Sequence, residues 1–278
     1  MGFRGMTSQA SPQITLLEYR KLDLHLNESF AISGGAVDVV ELVLVRLTDS
    51  TGRVGLGEAA PFPAYDGMTR QRVLDSVKAC DFSLLGQGSA QAFEKTQLSW
   101  MAESFSGALL PGPLLAALEM AWLDLLGKSK GLSVSQMVGP GSQDPVTGIT
   151  IVVGDQDHAA ESAQRFRDLG FNQIKIKLSG HGLADLERIQ QVRQAHPACR
   201  ILLDANGGFQ LDQAREFLRL LEDRDLSVAF LEQPLASDCL AGNHQLAEMT
   251  RIPILADESC TSVSTLVDCL QIGGFAGV

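Results

Sequence analysis

Residues that build redox or soft-metal sites are few and scattered in this 278-residue chain. Its five cysteines (Cys80, Cys199, Cys239, Cys260, Cys269) form no CxxC pair and are odd in number. That pattern argues against a disulfide framework and suits reduced thiols in a cytoplasmic protein. The five histidines (His25, His158, His181, His196, His244) fall mostly on predicted helices or loops, away from strand ends, and are assigned no role. Basic charge is also short. With 22 Lys+Arg against 33 Asp+Glu, the net charge of −11 repels phosphate backbones and anionic lipid. Neither nucleic acid nor a membrane is therefore an expected partner. No run approaches the ~18 apolar residues of a membrane span. Residues 1–13 are short and polar, lack the apolar core of a signal peptide, and read as a loose leader. A GxxxxGK(S/T) phosphate loop, a strand-linked GxGxxG fingerprint and a GxSxG elbow are all missing, which removes the usual signals of nucleotide-binding proteins and serine hydrolases.

What remains is an ordinary globular composition, 45% hydrophobic and 20% charged, written in two rhythms. Residues 14–139 read as strands followed by helices, an α+β domain. The strands are Ile14–Leu26, Val37–Leu47 and Val54–Glu58, with Asp49-Ser50-Thr51-Gly52 as a hairpin turn between the last two. The helices are Thr69–Leu84, Ala90–Ala102 and Pro113–Gly127, the third apolar nearly all round and so expected to be buried on most sides. Gly139-Pro140-Gly141-Ser142 marks a linker. Residues 146–278 then alternate strictly between strand and helix, the signature of a parallel sheet with helices outside it. Five βα units fit, with strands at Val146–Val153, Gln173–Leu178, Ile201–Asp204, Val228–Glu232 and Ile254–Asp257. A (β/α)₈ barrel takes about 250 residues, so this half reads as an incomplete TIM-type barrel. Gly273 to Val278 looks like the approach to a sixth strand, and the chain reads as a fragment of a longer protein.

Chemistry concentrates at the strand ends. Asp204, Glu232 and Asp257 close three successive strands, 28 and 25 residues apart. In a barrel these ends converge on one face. Three bare carboxylates there repel one another, and a divalent cation resolves the conflict; all-oxygen ligands favour Mg²⁺, with Mn²⁺ as the alternative. Acids also end strands as solvated residues or helix caps. Lys175 and Lys177 share one face of the strand before, where parallel strands are usually apolar. Such lysines need opposite charge nearby. Their mutual repulsion predicts a lowered pKa for at least one of them, bringing a neutral amine base closer to neutral pH.

The ordered set Lys175-Ile176-Lys177, Asp204-Ala205-Asn206, Leu231-Glu232-Gln233-Pro234-Leu235 and Ala256-Asp257-Glu258-Ser259 resembles the muconate-lactonizing subgroup of the enolase superfamily. Ala117 to Lys128 resembles that family's helix leading into the barrel, and Val54 to Pro61 resembles the end of its capping-domain hairpin. The resemblance implies an enolase-like fold, an α+β capping domain followed by a (β/α) barrel. Ala256 to Cys260 and Pro61-Phe62-Pro63-Ala64-Tyr65 look most like dipeptide epimerases acting on L-Ala-Glu. On that resemblance Asp204, Glu232 and Asp257 bind Mg²⁺, Lys177 is an acid/base and Lys175 tunes it. Glu258 lies behind the metal, Asn206 has a supporting polar role, and Thr150 matches a substrate-contacting position, although an ordinary strand residue explains it equally well. The implied partner is a small carboxylate, a dipeptide, and a homo-oligomer is compatible with the family.

The implied reaction removes the α-proton beside a carboxylate through an enediolate and returns it on the other face. In the family the second acid/base is a lysine at the sixth strand end, and an Asp-x-Asp at the eighth holds the substrate ammonium. Both positions fall beyond Val278, so this chain is expected to lack full epimerase turnover. Loops at Ser33-Gly34-Gly35 and Tyr65-Asp66-Gly67 are the remaining specificity elements. The runner-up activities are o-succinylbenzoate synthase and muconate cycloisomerase. A barrel fragment acting only as a binding protein is the reading from another class.

Overall fold

The structure, a computed structural model, describes residues 12–32, 35–63, 67–79, 110–138 and 146–278. The leader up to residue 11, the helix expected at Ala90–Ala102, the Gly139–Ser142 linker and parts of both Gly-rich loops lie outside the described residues. Contacts divide the chain into two units, Met1–Asn27 with Val39–Asp144, and Glu28–Asp38 with Pro145–Val278. None of the described helices is long and apolar enough to cross a membrane.

A three-stranded sheet runs in the order β1 (Ile14–Ile32), β2 (Gly35–Asp49), β3 (Val54–Ala59), and its strands belong to the first unit except for residues 28–32 of β1 and 35–38 of β2. The β2–β3 turn is fixed by Asp49. Its carboxylate accepts hydrogen bonds from the Thr51 and Arg53 amides (both 2.9 Å), the Thr51 hydroxyl (2.7 Å) and Arg53 Nε (2.9 Å). Helices α1 (Arg70–Ala79), α2 (Gly112–Lys130) and α3 (Val134–Val138) follow. Proline in the first turn of α2 costs no hydrogen bond, and Gly131 stops the helix in the left-handed region (φ 67°). Strand β3 lies against α2 at glycine distance. A Cβ on Gly57 would stand 1.9 Å from the Ala117 carbonyl oxygen, and one on Gly55 would stand 2.0 Å from that of Ala121. The expectation of burial on most sides holds for Leu114, Ala117, Leu118, Ala121, Trp122, Leu125 and Leu126. Ala116 and Met120 nevertheless form an exposed stripe.

The second unit is a parallel sheet in chain order: β4 (Ile149–Ile151), β5 (Gln173–Lys177), β6 (Arg200–Asp204), β7 (Leu231–Glu232) and β8 (Ile254–Leu255). The helices between and after them are α4 (Gln156–Asp168), α5 (Gly182–Ala195), α6 (Leu211–Asp223), α7 (Leu240–Met249) and α8 (Val263–Ile272). Four of the five strands are shorter than the sequence pattern suggests, β6 being one residue longer, and two of the ends have identifiable reasons. Pro253 has no N–H to extend β8 backwards, and the left-handed backbone of Gln233 (φ 39°) ends β7. Past α8 the chain returns to the sheet: Ala276 N donates to Ile254 O (2.8 Å) and Ala256 N to Gly277 O (3.0 Å), a parallel bridge beside β8.

Alternation sorts the side chains of these strands onto two faces. Ile174, Ile176, Leu178, Ile201, Leu203, Leu231 and Ile254 pack with Leu186, Ile189, Val192, Phe217, Leu221 and Leu246 of the helices in one buried core. The opposite face carries Thr150, Lys175, Lys177, Asp204 and Glu232. The helix-side layer thus fixes the register, and the register aligns the polar groups.

Candidate functional site

Lys177, Asp204 and Glu232 are register partners across three neighbouring strands, and Thr150 pairs with Lys175. All lie at or near the C-terminal strand ends. Lys177 Nζ donates to Asp204 Oδ2 (2.7 Å) and Asn206 Oδ1 (2.9 Å). Lys175 Nζ reaches the same Asp204 oxygen (2.7 Å) and Glu232 Oε1 (2.8 Å). Asp204 is fully buried, and its other oxygen accepts the Asn206 amide (3.1 Å). One buried carboxylate oxygen therefore holds two ammonium groups, which supplies the opposite charge that two lysines on an inward strand face require.

The lowering expected of at least one lysine does not fall on Lys175. Desolvation does pull Lys175 down, but the hydrogen bonds and charges of Asp204 and Glu232 outweigh it and hold Lys175 above its ordinary value. For Asp204, burial pushes the carboxyl up, and Lys177 and Lys175 more than reverse this, leaving it below the usual range. Glu232 goes the other way. Burial, with Asp204 and Asp257 nearby, raises it despite the Lys175 hydrogen bond.

Beyond this pair of strands, Asn206 donates through Nδ2 to Glu258 Oε1 (3.0 Å). The other Glu258 oxygen is buried with no hydrogen-bond partner, and burial raises its pKa. Asp257 is half-buried on the turn after β8, and its amide is bound by Gln233. Its carboxylate joins neither lysine. Among the described residues no three His, Cys, Asp or Glu side chains surround a common point, because Lys175 stands between Asp204 and Glu232. The donor chemistry nonetheless fits a hard divalent cation: hard oxygen donors from adjacent strands, an orphaned buried carboxylate oxygen, and excess negative charge that lysine ammonium now neutralises.

Three features escaped the sequence reading. Phe30 lies with its ring centroid 5.9 Å from Lys177 Nζ, a contact no local pattern reveals. Asp185 and Arg188 form a buried pair on α5, and their i,i+3 spacing is the one signal that could have found it. Gln233 is fully buried between Glu232 and Pro234; the motif containing it was visible, its side chain's work was not.

This geometry agrees with comparisons to known proteins. Residues 158–278 match the enolase C-terminal domain-like family, and residues 21–139 match the mandelate racemase / muconate lactonizing enzyme N-terminal domain. The aromatic dipeptide epimerase of Herpetosiphon aurantiacus is 32% identical over 261 residues, which are 94% of this chain and 72% of that protein. The chain belongs to the enolase superfamily. Among solved structures of this superfamily, the substrate-liganded L-Ala-D/L-Glu epimerase from Bacillus subtilis superposes with a TM-score of 0.84 at 30% identity, covering 95% of this chain and 73% of that one. A dipeptide epimerase from Enterococcus faecalis, complexed with Mg and the dipeptide L-Leu-L-Tyr, gives 0.83 at 25% identity over the same shares. The expected enolase-like fold, a capping domain and a parallel barrel sheet, is therefore the observed one. The chain spans somewhat under three quarters of the length of these relatives.

Proposed function

We propose that this enolase-superfamily chain carries the metal-binding and one-base part of a dipeptide-epimerase site, and that its reaction is Mg²⁺-dependent removal of the proton α to a carboxylate. The observation that carries the reading is the Lys175–Asp204–Lys177 cluster, extended by Glu232, at the ends of three adjacent parallel strands. The epimerase relatives, one of them complexed with Mg and a dipeptide, support the ion and the substrate class. Asp204, Glu232 and Asp257 would hold Mg²⁺, with Glu258 and Asn206 behind them; Mn²⁺ suits the same oxygens. When bound, the ion supplies positive charge that offsets the negative charge developing on the substrate carboxylate.

The protein's own share is proton movement and orientation. Lys177 Nζ takes the α-proton, for which it must be in the neutral form. Lys175, held charged by Asp204 and Glu232, stands beside it as a fixed positive neighbour. Thr150, opposite Lys175 in the register, borders the substrate. Full epimerisation needs a second acid on the opposite substrate face, and both lysines stand on one side. The 278-residue chain is therefore expected to exchange an α-proton without accumulating the epimer.

Incubation of L-Ala-L-Glu with the chain and Mg²⁺ in D₂O, followed by proton NMR, tests this. The expected result is deuterium at the glutamate α-carbon, lost on chelation. Lys177→Met should reduce exchange by about 10²–10⁴-fold. Absence of exchange with well-bound Mg²⁺ would favour a purely binding role, and accumulation of L-Ala-D-Glu at an ordinary enzymatic rate would refute the one-base reading. Running the same exchange on other carboxylic acids separates the epimerase from cycloisomerase-type activities.

A further inference from the structure

Every hydrogen-bonding capacity of the Gln233 side chain is used. Its Oε1 accepts the amides of Asp257 and Ser259 (both 3.0 Å), and its Nε2 donates to Leu235 O and Ser259 Oγ (both 2.8 Å). An amide offers two donors and one acceptor oxygen with two lone pairs, so every capacity is filled. The orientation is determined by its partners, because the reverse would point NH₂ at two N–H groups. Its main chain is engaged as well: Gln233 N donates to Leu255 O (2.9 Å) and Gly207 N to Gln233 O (2.8 Å). Ser259 extends the network by donating its hydroxyl to Ser237 O (2.8 Å). All of this sits on a residue with φ 39°, a left-handed conformation that a non-glycine residue keeps only where its surroundings enforce it.

We infer that Gln233 is a positioning residue that joins the end of β7 to the turn after β8, so that Glu232 and Asp257 are presented as one unit to the divalent cation. The inference rests on the proposed metal site. Glu232 is the residue immediately before Gln233, and the Asp257 amide is bonded directly to its side chain, so one buried amide sets the spacing of two carboxylates from different strands. Neighbours that orient metal ligands typically change metal affinity by 10–100-fold when removed. A glutamate here would keep both acceptor bonds and lose both donor bonds. A methionine would fill similar space and lose all four.

The test uses Mn²⁺ as the probe, with binding followed by electron paramagnetic resonance, and amide hydrogen exchange on the same ion-free proteins. Gln233→Met is expected to raise the Mn²⁺ dissociation constant about 10–100-fold. It should also speed exchange of the Asp257–Cys260 amides at least ~10-fold while the amides of β5 and β6 keep their protection. Gln233→Glu should restore much of the protection at Asp257 and Ser259. Unchanged Mn²⁺ affinity or unchanged 257–260 exchange in Gln233→Met would overturn the inference. So would a uniform loss of protection across the barrel unit, which marks a general core residue. If the unsubstituted chain binds no Mn²⁺, the metal site itself is refuted and the inference falls with it. The exchange data then still report whether the amide holds the turn.

Discussion

Replacing Arg188 by methionine should be among the most damaging single changes in the barrel unit. Arg188 Nη1 donates to Lys177 O (2.8 Å) and Asp185 Oδ1 (3.2 Å), and Nη2 donates to Val152 O (2.7 Å). It therefore ties the ends of β4 and β5 together behind the lysine strand. Asp185 is fully buried and also accepts the Ser179 amide (2.9 Å) and hydroxyl (3.0 Å). Removing one partner of a buried ion pair typically costs about 3–5 kcal/mol, since the remaining charge is left uncompensated. Two buried carbonyls also lose their donors, at about 1–3 kcal/mol each if no water replaces them. Protonation of Asp185 and water entry would recover part of this, so about 4 kcal/mol is the expected net loss. With a urea slope of roughly 2 kcal/mol/M, the midpoint should fall by about 2 M. Far-UV circular dichroism is the appropriate signal, because the barrel unit contains no tryptophan. The double variant Asp185→Asn, Arg188→Met should be less destabilised than the sum of the single changes, because it leaves no unpaired charge. A loss under ~1 kcal/mol for Arg188→Met, or strict additivity in the cycle, would refute the reasoning.

Gly57→Ala should destabilise the first unit by at least ~1–3 kcal/mol, since its Cβ would stand 1.9 Å from the Ala117 carbonyl and backbone must move. Trp122 fluorescence during thermal melting reads this directly, because Trp122 lies on α2; an unchanged melting temperature would contradict the packing. The Asp49 carboxyl should titrate near 2. Burial pushes it up from 3.8, but the Thr51 hydroxyl, the Arg53 and Thr51 amides and Arg53 Nε together bring it down to about 2. The sign follows: a depressed folded pKa stabilises fully above the unfolded value near 3.8, and that contribution is lost as pH falls toward 2. Carbon NMR titration of the side chain measures the midpoint, and a value of 3.8 or above would show that the turn bonds do not hold in solution.

Much of the barrel was readable because its physics is local in sequence. The two-residue alternation of Lys175 and Lys177, the apolar partners Ile174 and Ile176, and carboxylates about one βα unit apart together oriented the sheet face correctly. Gly55 and Gly57 were visible as a motif, whereas their reason, the close approach to α2, is a tertiary fact. The need for opposite charge beside the lysines was legible, but that one Asp204 oxygen would hold both and raise Lys175 is a tertiary fact. Asp185 and Arg188 drew no attention in the sequence, since three-residue spacing on a helix suits a surface pair as well as a buried one. Phe30 was invisible, because contacts across such long separations leave no periodic trace.

The membership of Glu28–Asp38 in the barrel unit has a consequence for synthesis. Glu28 bonds His158, 130 residues later in the chain. At the usual 5–20 residues per second, roughly 10 s pass between the appearance of the two partners at the ribosome. The segments on either side of Glu28–Asp38, up to Asn27 and from Val39, belong to the earlier unit and can begin to assemble during that interval. The stretch between them must wait for α4 and β5, so the last contacts of the first-made strands form only once the barrel unit has begun to emerge.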